Sequence, residues 1–141
     1  MQRKASAVWS GGLKEGKGSI STESGVLKQT QYSFSTRFEN GKGTNPEELL
    51  AAAHAGCFTM ALSAELGHVG ITPEKLETTA TITLEKDTSG FLITKSHLDL
   101  VAHIPGADKA KFEAAVKAAE HGCPVSKLFK AEISVSSRLE A

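Results

Sequence analysis

Residues 44–70, with the sequence TNPEELLAAAHAGCFTMALSAELGHVG, predict the element around which the fold is organised. Asn45 suits a helix N-cap, and Pro46 suits the first helical position because its missing N–H is not needed there. Glu48 falls at the third helical position, where its carboxylate can return to the cap backbone in a capping box. No Asp, Glu, Lys or Arg lies within residues 49–64. A helix that is apolar all round is buried on all sides, in a protein core or in a membrane.

The length and composition of the chain favour a core helix within a single domain, residues 1–141. The apolar run is shorter than the roughly 20 residues of a membrane span, and His54 interrupts it. Sixteen basic residues balance sixteen acidic ones, so neither a nucleic-acid partner nor a membrane partner is expected. The N-terminal MQRKASAVWSGG lacks the apolar region of a secretory signal. We therefore expect a cytoplasmic protein whose two cysteines are reduced.

The periodicity of the remaining chain predicts an α+β domain, in which a mostly antiparallel β-sheet wraps on the long buried central helix. Gly-rich and Asp-rich turns separate the predicted segments. The predicted strands are 4–9, 19–22, 26–38, 76–84, 91–104 and 131–139, and the predicted helices that follow the central one are 108–121 and 124–130.

The predicted strand 26–38 carries the basic residue of most interest. Its aromatic residues share one face, and Arg37 lies on the other face with Glu39. Arg37 either pairs with Glu39 in solvent or, across the Gly-rich loop 40–43, folds towards the start of the central helix.

The predicted strand 91–104 carries an apolar face and a polar face. His97, Asp99 and His103 share the polar face and resemble metal ligands, but no fourth ligand with suitable spacing accompanies them. A solvated strand face is favoured, and no metal is expected. The residues predicted to face the core are Leu92, Leu98, Leu100 and Ile104.

The two cysteines differ in their electrostatic surroundings. Cys123 precedes Pro124 at a predicted helix N-cap, where the positive end of the helix dipole favours a thiolate. Cys57 lies about twelve residues into the central helix, in an apolar setting that raises the pKa of a thiol. Helix electrostatics alone make Cys123 the better nucleophile. Cys57 becomes reactive only if a cation approaches it, and Arg37 is the first candidate. His54 on the same helix face is the second candidate, but a hydrogen-bonded core histidine is the favoured interpretation of it.

Glu47 is the carboxylate at the helix start that has no capping duty. It lies ten residues before Cys57, which corresponds to about 15 Å along a straight helix. The two side chains therefore cannot share a site within one chain. If two chains pack their helices antiparallel, Glu47 of one can approach Cys57 of the other, and a two-fold dimer supplies this contact twice.

Three segments together identify a family resemblance: TESGVL at 22–27, YSFSTRFENGKGTNPEELLAAAHAGCFTMALS at 32–63 and HGCPVSKLFKAEI at 121–133. In this order they resemble the osmotically inducible protein C family of thiol peroxidases, which is related to the organic hydroperoxide resistance proteins. The sequence around Arg37 and Cys57 is more similar to the osmotically inducible subgroup than to the organic hydroperoxide resistance subgroup.

The resemblance implies roles for four residues. Cys57 is the expected peroxidatic cysteine and Cys123 the expected resolving cysteine, while Arg37 and Glu47 supply the catalytic cation and carboxylate. This reverses the ranking that helix electrostatics give to the two thiols. The resemblance also implies an intertwined homodimer with its sites at the interface.

The implied reaction is the reduction of organic hydroperoxides, and more weakly of hydrogen peroxide, in defence against oxidative and osmotic stress. Cys57 becomes a sulfenic acid, and Cys123 converts it to a disulfide. Arg37 stabilises the negative charge on the departing oxygen, and Glu47 orients the Arg37 guanidinium through a two-pronged contact. No cofactor is bound; an external dithiol, expected to be the lipoyl group of a lipoylated partner protein, reduces the disulfide.

Two other functions also suit a long apolar helix covered by a sheet. One is an acyl-thioester hydrolase with His54 or Glu47 as its base. The other is a non-enzymatic carrier of apolar ligands. Neither gives Cys57 and Cys123 a joint role.

Overall fold

The computed structural model describes residues 1–141 and has six strands and four helices, which confirms the α+β class. The strands form two three-stranded sheets, and the chain divides into two compact units, Met1–Leu49 and Leu50–Ala141. The elements in order are β1 Ala5–Ser10, β2 Lys17–Thr22, β3 Thr30–Tyr32, α1 Phe34–Phe38, α2 Pro46–His68, β4 Lys75–Asp87, β5 Gly90–His103, α3 Lys109–Gly122, α4 Pro124–Leu128 and β6 Glu132–Glu140.

The first unit is built on the antiparallel sheet β1-β2-β3. The predicted hairpin between β1 and β2 is confirmed. Gly18 on β2 pairs with Trp9 on one side and Tyr32 on the other. A Cβ atom at Gly18 would lie 2.5 Å from the Tyr32 ring and 2.7 Å from the Trp9 ring, so these aromatic side chains require glycine between them.

The predicted long strand 26–38 is confirmed only at Thr30–Tyr32, because residues 26–29 are not in a strand and α1 begins at Phe34. Ser33 forms a capping box with Thr36: the Thr36 N–H donates to Ser33 Oγ at 3.3 Å, and the Ser33 N–H donates to Thr36 Oγ1 at 2.8 Å. These two hydrogen bonds satisfy the first amides of a helical turn. The local cap therefore overrides the alternating pattern.

The start of α2 follows the prediction in part. The Glu48 N–H donates to Asn45 Oδ1 at 2.7 Å, so Asn45 is the N-cap and Pro46 is the first helical residue. The reciprocal half of the capping box is wrong. The Glu48 carboxylate accepts a hydrogen bond from the Thr44 hydroxyl at 2.8 Å instead.

The second unit contains the core. Strands β4 and β5 pair antiparallel as predicted, whereas β6 pairs parallel to β5. Parallel pairing requires a crossover connection, and α3 and α4 supply it. The largest apolar side chains that are at most 2 % exposed are Phe58, Leu62, Leu66, Leu98, Leu100 and Phe112.

Leu92 was predicted to face this core, but its side chain is 50 % exposed. The register between β4 and β5 shifts at Thr83, which pairs with Lys95, while Leu84 pairs with Ile93. Thr94 is therefore an extra residue, and a bulge of this kind reverses the alternation of side chains beyond it. The other three predicted residues are buried as expected, namely Leu98, Leu100 and Ile104.

Helix α2 is not buried on all sides in the single chain. One row of side chains is buried, at His54, Phe58, Leu62 and Leu66. Helix α2 has 23 residues, and a window of 18 residues within it has a mean hydropathy of 1.4. It is therefore long and apolar enough to cross a membrane, a property that the core helix of a globular protein can share. The exposed residues of small or apolar type along its other face are Ala52, Ala53, Gly56, Met60, Ser63, Ala64 and Gly67.

Candidate active site

Arg37 and Glu47 form an ion pair within the first unit. Arg37 lies in the last turn of α1 and Glu47 in the first turn of α2, and Arg37 Nε donates to Glu47 Oε1 at 2.8 Å. Of the two positions considered for Arg37, this is the one folded towards the helix start. Two hydrogen bonds hold the segments together: Asn45 Nδ2 donates to Thr36 O at 3.0 Å, and the Thr44 N–H donates to Gln31 O at 2.9 Å.

The contact between Arg37 and Glu47 has one prong, not two. Glu47 Oε2 is buried and has no hydrogen-bond partner, and the whole Glu47 side chain is only 12 % exposed. The Arg37 side chain is 40 % exposed, so the guanidinium keeps a free edge. A buried carboxylate oxygen without a partner is costly and marks a position at which a further donor would be favourable.

A cavity of about 300 Å³ lies beside Arg37. The guanidinium also stacks 5.3 Å from the centroid of the Phe38 ring. The cavity thus combines one cation with an apolar wall, which suits a ligand that has a polar end and an organic body. The remaining lining residues are Trp9, Leu13, Tyr32, Ser33 and Phe34.

The two cysteines meet in the second unit. Cys57 lies on α2 and is partly buried, while Cys123 is fully buried between α3 and α4. The Cys123 N–H donates to Ala119 O at 3.0 Å, which ends α3, and Pro124 then starts α4. The Cys57 and Cys123 side chains are near neighbours that interact electrostatically, and neither is in a disulfide. Two neighbouring thiols can cycle between dithiol and disulfide.

Burial raises the pKa of Cys57, as predicted from its apolar helix. The Cys123 side chain, through its hydrogen bond and its charge, raises the pKa of Cys57 further. A hydrogen bond from the backbone of Val125, in the first turn of α4, lowers it in part. The thiol form of Cys57 therefore dominates at neutral pH in these surroundings, and a cation would be needed to activate it.

Comparison with known proteins identifies the family of this chain. The family model of OsmC-like proteins matches residues 39–138. The chain belongs to the OsmC-like family. Peroxiredoxin OsmC of Escherichia coli (strain K12) is 50 % identical over 141 residues, which cover 100 % of this chain and 99 % of that protein. Organic hydroperoxide resistance protein OhrB of Bacillus subtilis (strain 168) is 33 % identical over 125 residues, covering 87 % of this chain and 89 % of OhrB.

Solved structures agree with this membership. The crystal structure of OhrB of Bacillus subtilis superposes with a TM-score of 0.68 at 30 % identity, covering 97 % of this chain and 98 % of OhrB. An organic hydroperoxide resistance protein OsmC from Legionella pneumophila gives a TM-score of 0.68 at 27 % identity over 98 % of this chain and 97 % of that chain. The fold predicted from the sequence resemblance is thereby confirmed as OsmC-like.

His54 is a core histidine in this OsmC-like chain, as favoured from its position. It is 0 % exposed, and burial lowers its pKa. Nδ1 lies 2.5 Å from Ser96 Oγ, and Nε2 lies 2.8 Å from Ser126 Oγ. Both ring nitrogens are therefore occupied, which leaves neither free to act as a base on a substrate.

The histidines on β5 use their polar contacts within the sheet. His97 lies between the hydroxyls of Ser134 and Ser136, at 2.6 and 3.1 Å. His103 lies 3.5 Å from Glu77 and 3.1 Å from a carboxylate oxygen of Glu140. These contacts are the polar strand face that was favoured from the sequence.

The structure brings the four predicted site residues together as two pairs. Arg37–Glu47 belongs to the first unit and Cys57–Cys123 to the second, and a contact between the pairs stays a prediction. Sequence reasoning missed Val125 and Ser126, which lie two and three residues after Cys123. No sequence pattern indicated a role for Ser96, because its contact with His54 joins residues far apart in the chain.

Proposed function

We propose that this OsmC-like protein is a cysteine-based peroxidase that reduces organic hydroperoxides, and hydrogen peroxide more weakly, with residues 1–141 acting as one domain. The observation that carries the proposal is that Cys57 and Cys123 are free thiols near enough to each other for Cys123 to shift the pKa of Cys57. The names of the relatives support it, since one is a peroxiredoxin and others are organic hydroperoxide resistance proteins.

In the first step the Cys57 thiolate attacks the distal oxygen of the peroxide. The O–O bond breaks, Cys57 becomes a sulfenic acid and the other oxygen leaves with a proton as alcohol or water. Arg37 holds Cys57 as the thiolate and stabilises charge on the leaving oxygen, because a guanidinium both attracts and donates to an oxyanion. Glu47 fixes the orientation of Arg37 through their 2.8 Å hydrogen bond.

The site is completed in a homodimer. Glu47 and Cys57 are ten residues apart on the unbroken helix α2, about 15 Å along its axis. The exposed face of α2, from Ala53 through Gly56 and Met60 to Gly67, supports close packing of a second copy, since small residues let helices approach. In that arrangement Arg37 and Glu47 of one chain serve Cys57 of the other.

In the second step Cys123 attacks the sulfenic acid and releases water, leaving a Cys57–Cys123 disulfide. Their direct contact in the reduced chain supports resolution without a large movement. An external dithiol then reduces the disulfide by exchange. Lipoyl groups of a partner protein are the proposed reductant, and the peroxidase needs no bound cofactor.

The cavity beside Arg37 favours an organic hydroperoxide. Its aromatic lining gains free energy from an apolar substituent, which hydrogen peroxide does not have. The proposed setting is the cytoplasm, in defence against oxidative and osmotic stress, with no nucleic-acid or membrane partner.

The test is peroxide consumption with several peroxides and with dihydrolipoamide, dithiothreitol or thioredoxin as reductant. Cys57→Ser should abolish consumption, whereas an acyl-thioester hydrolase or a ligand carrier would keep its activity. Undiminished peroxide consumption by Cys57→Ser would refute the proposal. The hydrolase alternative loses one of its two candidate bases, because serines hold both nitrogens of His54, and the other, Glu47, is paired with Arg37.

A further inference from the structure

Three polar side chains form a connected cluster inside the second unit. His54 and Ser96 are 0 % exposed, and Ser126 is 6 % exposed. The imidazole bridges the two hydroxyls, Ser96 on β5 at 2.5 Å and Ser126 on α4 at 2.8 Å. A fully satisfied polar network in an apolar core fixes the position of the elements that it joins. This cluster therefore ties α4 to the sheet through α2.

The cluster lies directly beside the two thiols in the chain. His54 precedes Cys57 by three residues, which places both on one face of α2. Ser126 follows Cys123 by three residues, and the backbone of Val125 between them is near enough to Cys57 to lower its pKa. Ser126, which bonds His54, therefore belongs to the same turn as Cys123 and Val125, which lie near Cys57.

Helix α4 depends on such contacts for its position. It has five residues, and its N-cap Cys123 makes no side-chain cap hydrogen bond. Helices this short are not stable alone in water. Besides Ser126, the imidazole meets Phe129, the residue after α4, edge-on at 5.1 Å. His54 thus contacts the turn beside the resolving thiol and the end of the helix.

We propose that His54 is a positioning residue for disulfide formation, holding α4 through Ser126 so that Cys123 faces Cys57. The inference rests on the proposed function. In this step the Cys123 sulfur attacks the sulfur of the Cys57 sulfenic acid. The S–O bond breaks, the S–S bond forms, and hydroxide leaves with the Cys123 proton as water. His54 acts through α4, because serines occupy both of its nitrogens.

The experiment uses Ser126→Ala, which removes one hydroxyl and keeps the helix. Reduced protein is mixed with cumene hydroperoxide and quenched at intervals. Dimedone labelling reports the Cys57 sulfenic acid, and mass spectrometry without reductant reports the disulfide. Disulfide formation is expected to slow about tenfold or more, because the buried His54 nitrogen loses its partner and α4 loosens. Sulfenic acid formation should stay within about twofold.

Two further variants separate positioning from a general loss of structure. Ser126→Thr keeps the hydroxyl and should restore the disulfide rate. Ser134→Ala is the matched control, since it removes a serine–histidine hydrogen bond of 2.6 Å to His97 on the sheet, and it should leave both steps unchanged.

The outcomes distinguish this inference from the proposed function. A normal sulfenic acid step with undiminished disulfide formation in Ser126→Ala overturns the positioning role alone. An equal fall in both steps overturns it as well, because that result indicates a general structural effect. If the unaltered protein forms no sulfenic acid on Cys57, the proposed function fails, and this inference fails with it.

Discussion

Replacing Glu47 with Gln tests whether this carboxylate acts by orienting Arg37. The variant keeps an oxygen that can accept from Arg37 Nε but removes the negative charge from a contact of 2.8 Å. Because the Arg37 side chain is 40 % exposed, solvent screens the pair, and the free energy of unfolding should fall by less than about 1 kcal/mol. Hydrogen bonds to charged groups are worth about 1.5–3 kcal/mol, and we expect the transition state to lose an amount of this order when Arg37 is no longer held in place. The rate of Cys57 oxidation should therefore fall about 10- to 100-fold.

The assay is single-turnover oxidation of Cys57 by cumene hydroperoxide, with urea unfolding of the same samples. Glu77→Gln is a matched control, since Glu77 pairs with Lys75 at 2.7 Å on β4 and has no proposed catalytic role. That variant should keep the oxidation rate. A Glu47→Gln protein that reacts as fast as the unaltered one would refute the orienting role. A loss of stability as large as the loss of rate would refute it too.

Four other substitutions give separate readings of the site and the core. Arg37→Ala should raise the pKa of Cys57 by removing its cation, and an iodoacetamide-rate titration without an upward shift would remove Arg37 from the site. Cys123→Ser should permit one turnover and then stall, as measured by peroxide consumed per subunit; sustained turnover with dihydrolipoamide alone would contradict a resolving role. Burial lowers the pKa of His54, so on acidification His54 is protonated at a higher pH in the unfolded chain than in the folded one. The free energy of unfolding should therefore fall as the pH drops below about 6.5, by up to about 1.4 kcal/mol per pH unit. His54→Gln should flatten this slope in urea titrations between pH 7 and 5, and an unchanged slope would assign it to other groups. Leu62→Ala, at a fully buried position, should cost about 2–5 kcal/mol in the same measurement, and a cost near zero would mean that the core repacks freely.

The parts of the fold that sequence reasoning predicted correctly depend on local signals with regular periods. Asn45 and Pro46 mark the start of α2 by their side-chain chemistry alone, and Asp108 does the same for α3. The bounds of α3, Lys109–Gly122, also agree with the predicted helix 108–121, because the 3.6-residue period of an amphipathic helix can be detected without knowledge of the partner that buries it.

The errors arose where one contact changes the meaning of a pattern. The hydroxyls of Ser33 and Thr36 close a helical turn inside an alternating sequence, and the extra residue Thr94 reverses the faces of β5 beyond it. The parallel pairing of β6 depends on how α3 and α4 cross the sheet, which alternation within β6 does not encode.

The candidate site shows the same division. Residue types and order were enough to propose Arg37 as the cation, because few residues carry that chemistry in this chain, whereas Cys57 was ranked above Cys123 only by the family resemblance. The partner of Arg37 depends on α1, and the serines on either side of His54 come from β5 and α4. Contacts between residues so distant in the chain follow from the tertiary fold and have no period to detect.

The contact between Cys57 and Cys123 has a consequence for the folding equilibrium. A disulfide between these positions would close a loop of about 66 residues. In the chain-entropy model, a loop of that length restricts the unfolded ensemble enough to stabilise the native state by about 4 kcal/mol. Oxidised protein should therefore melt well above reduced protein. Each catalytic cycle would then move the chain between a more and a less resistant state, and the melting temperature would report how much enzyme awaits its reductant.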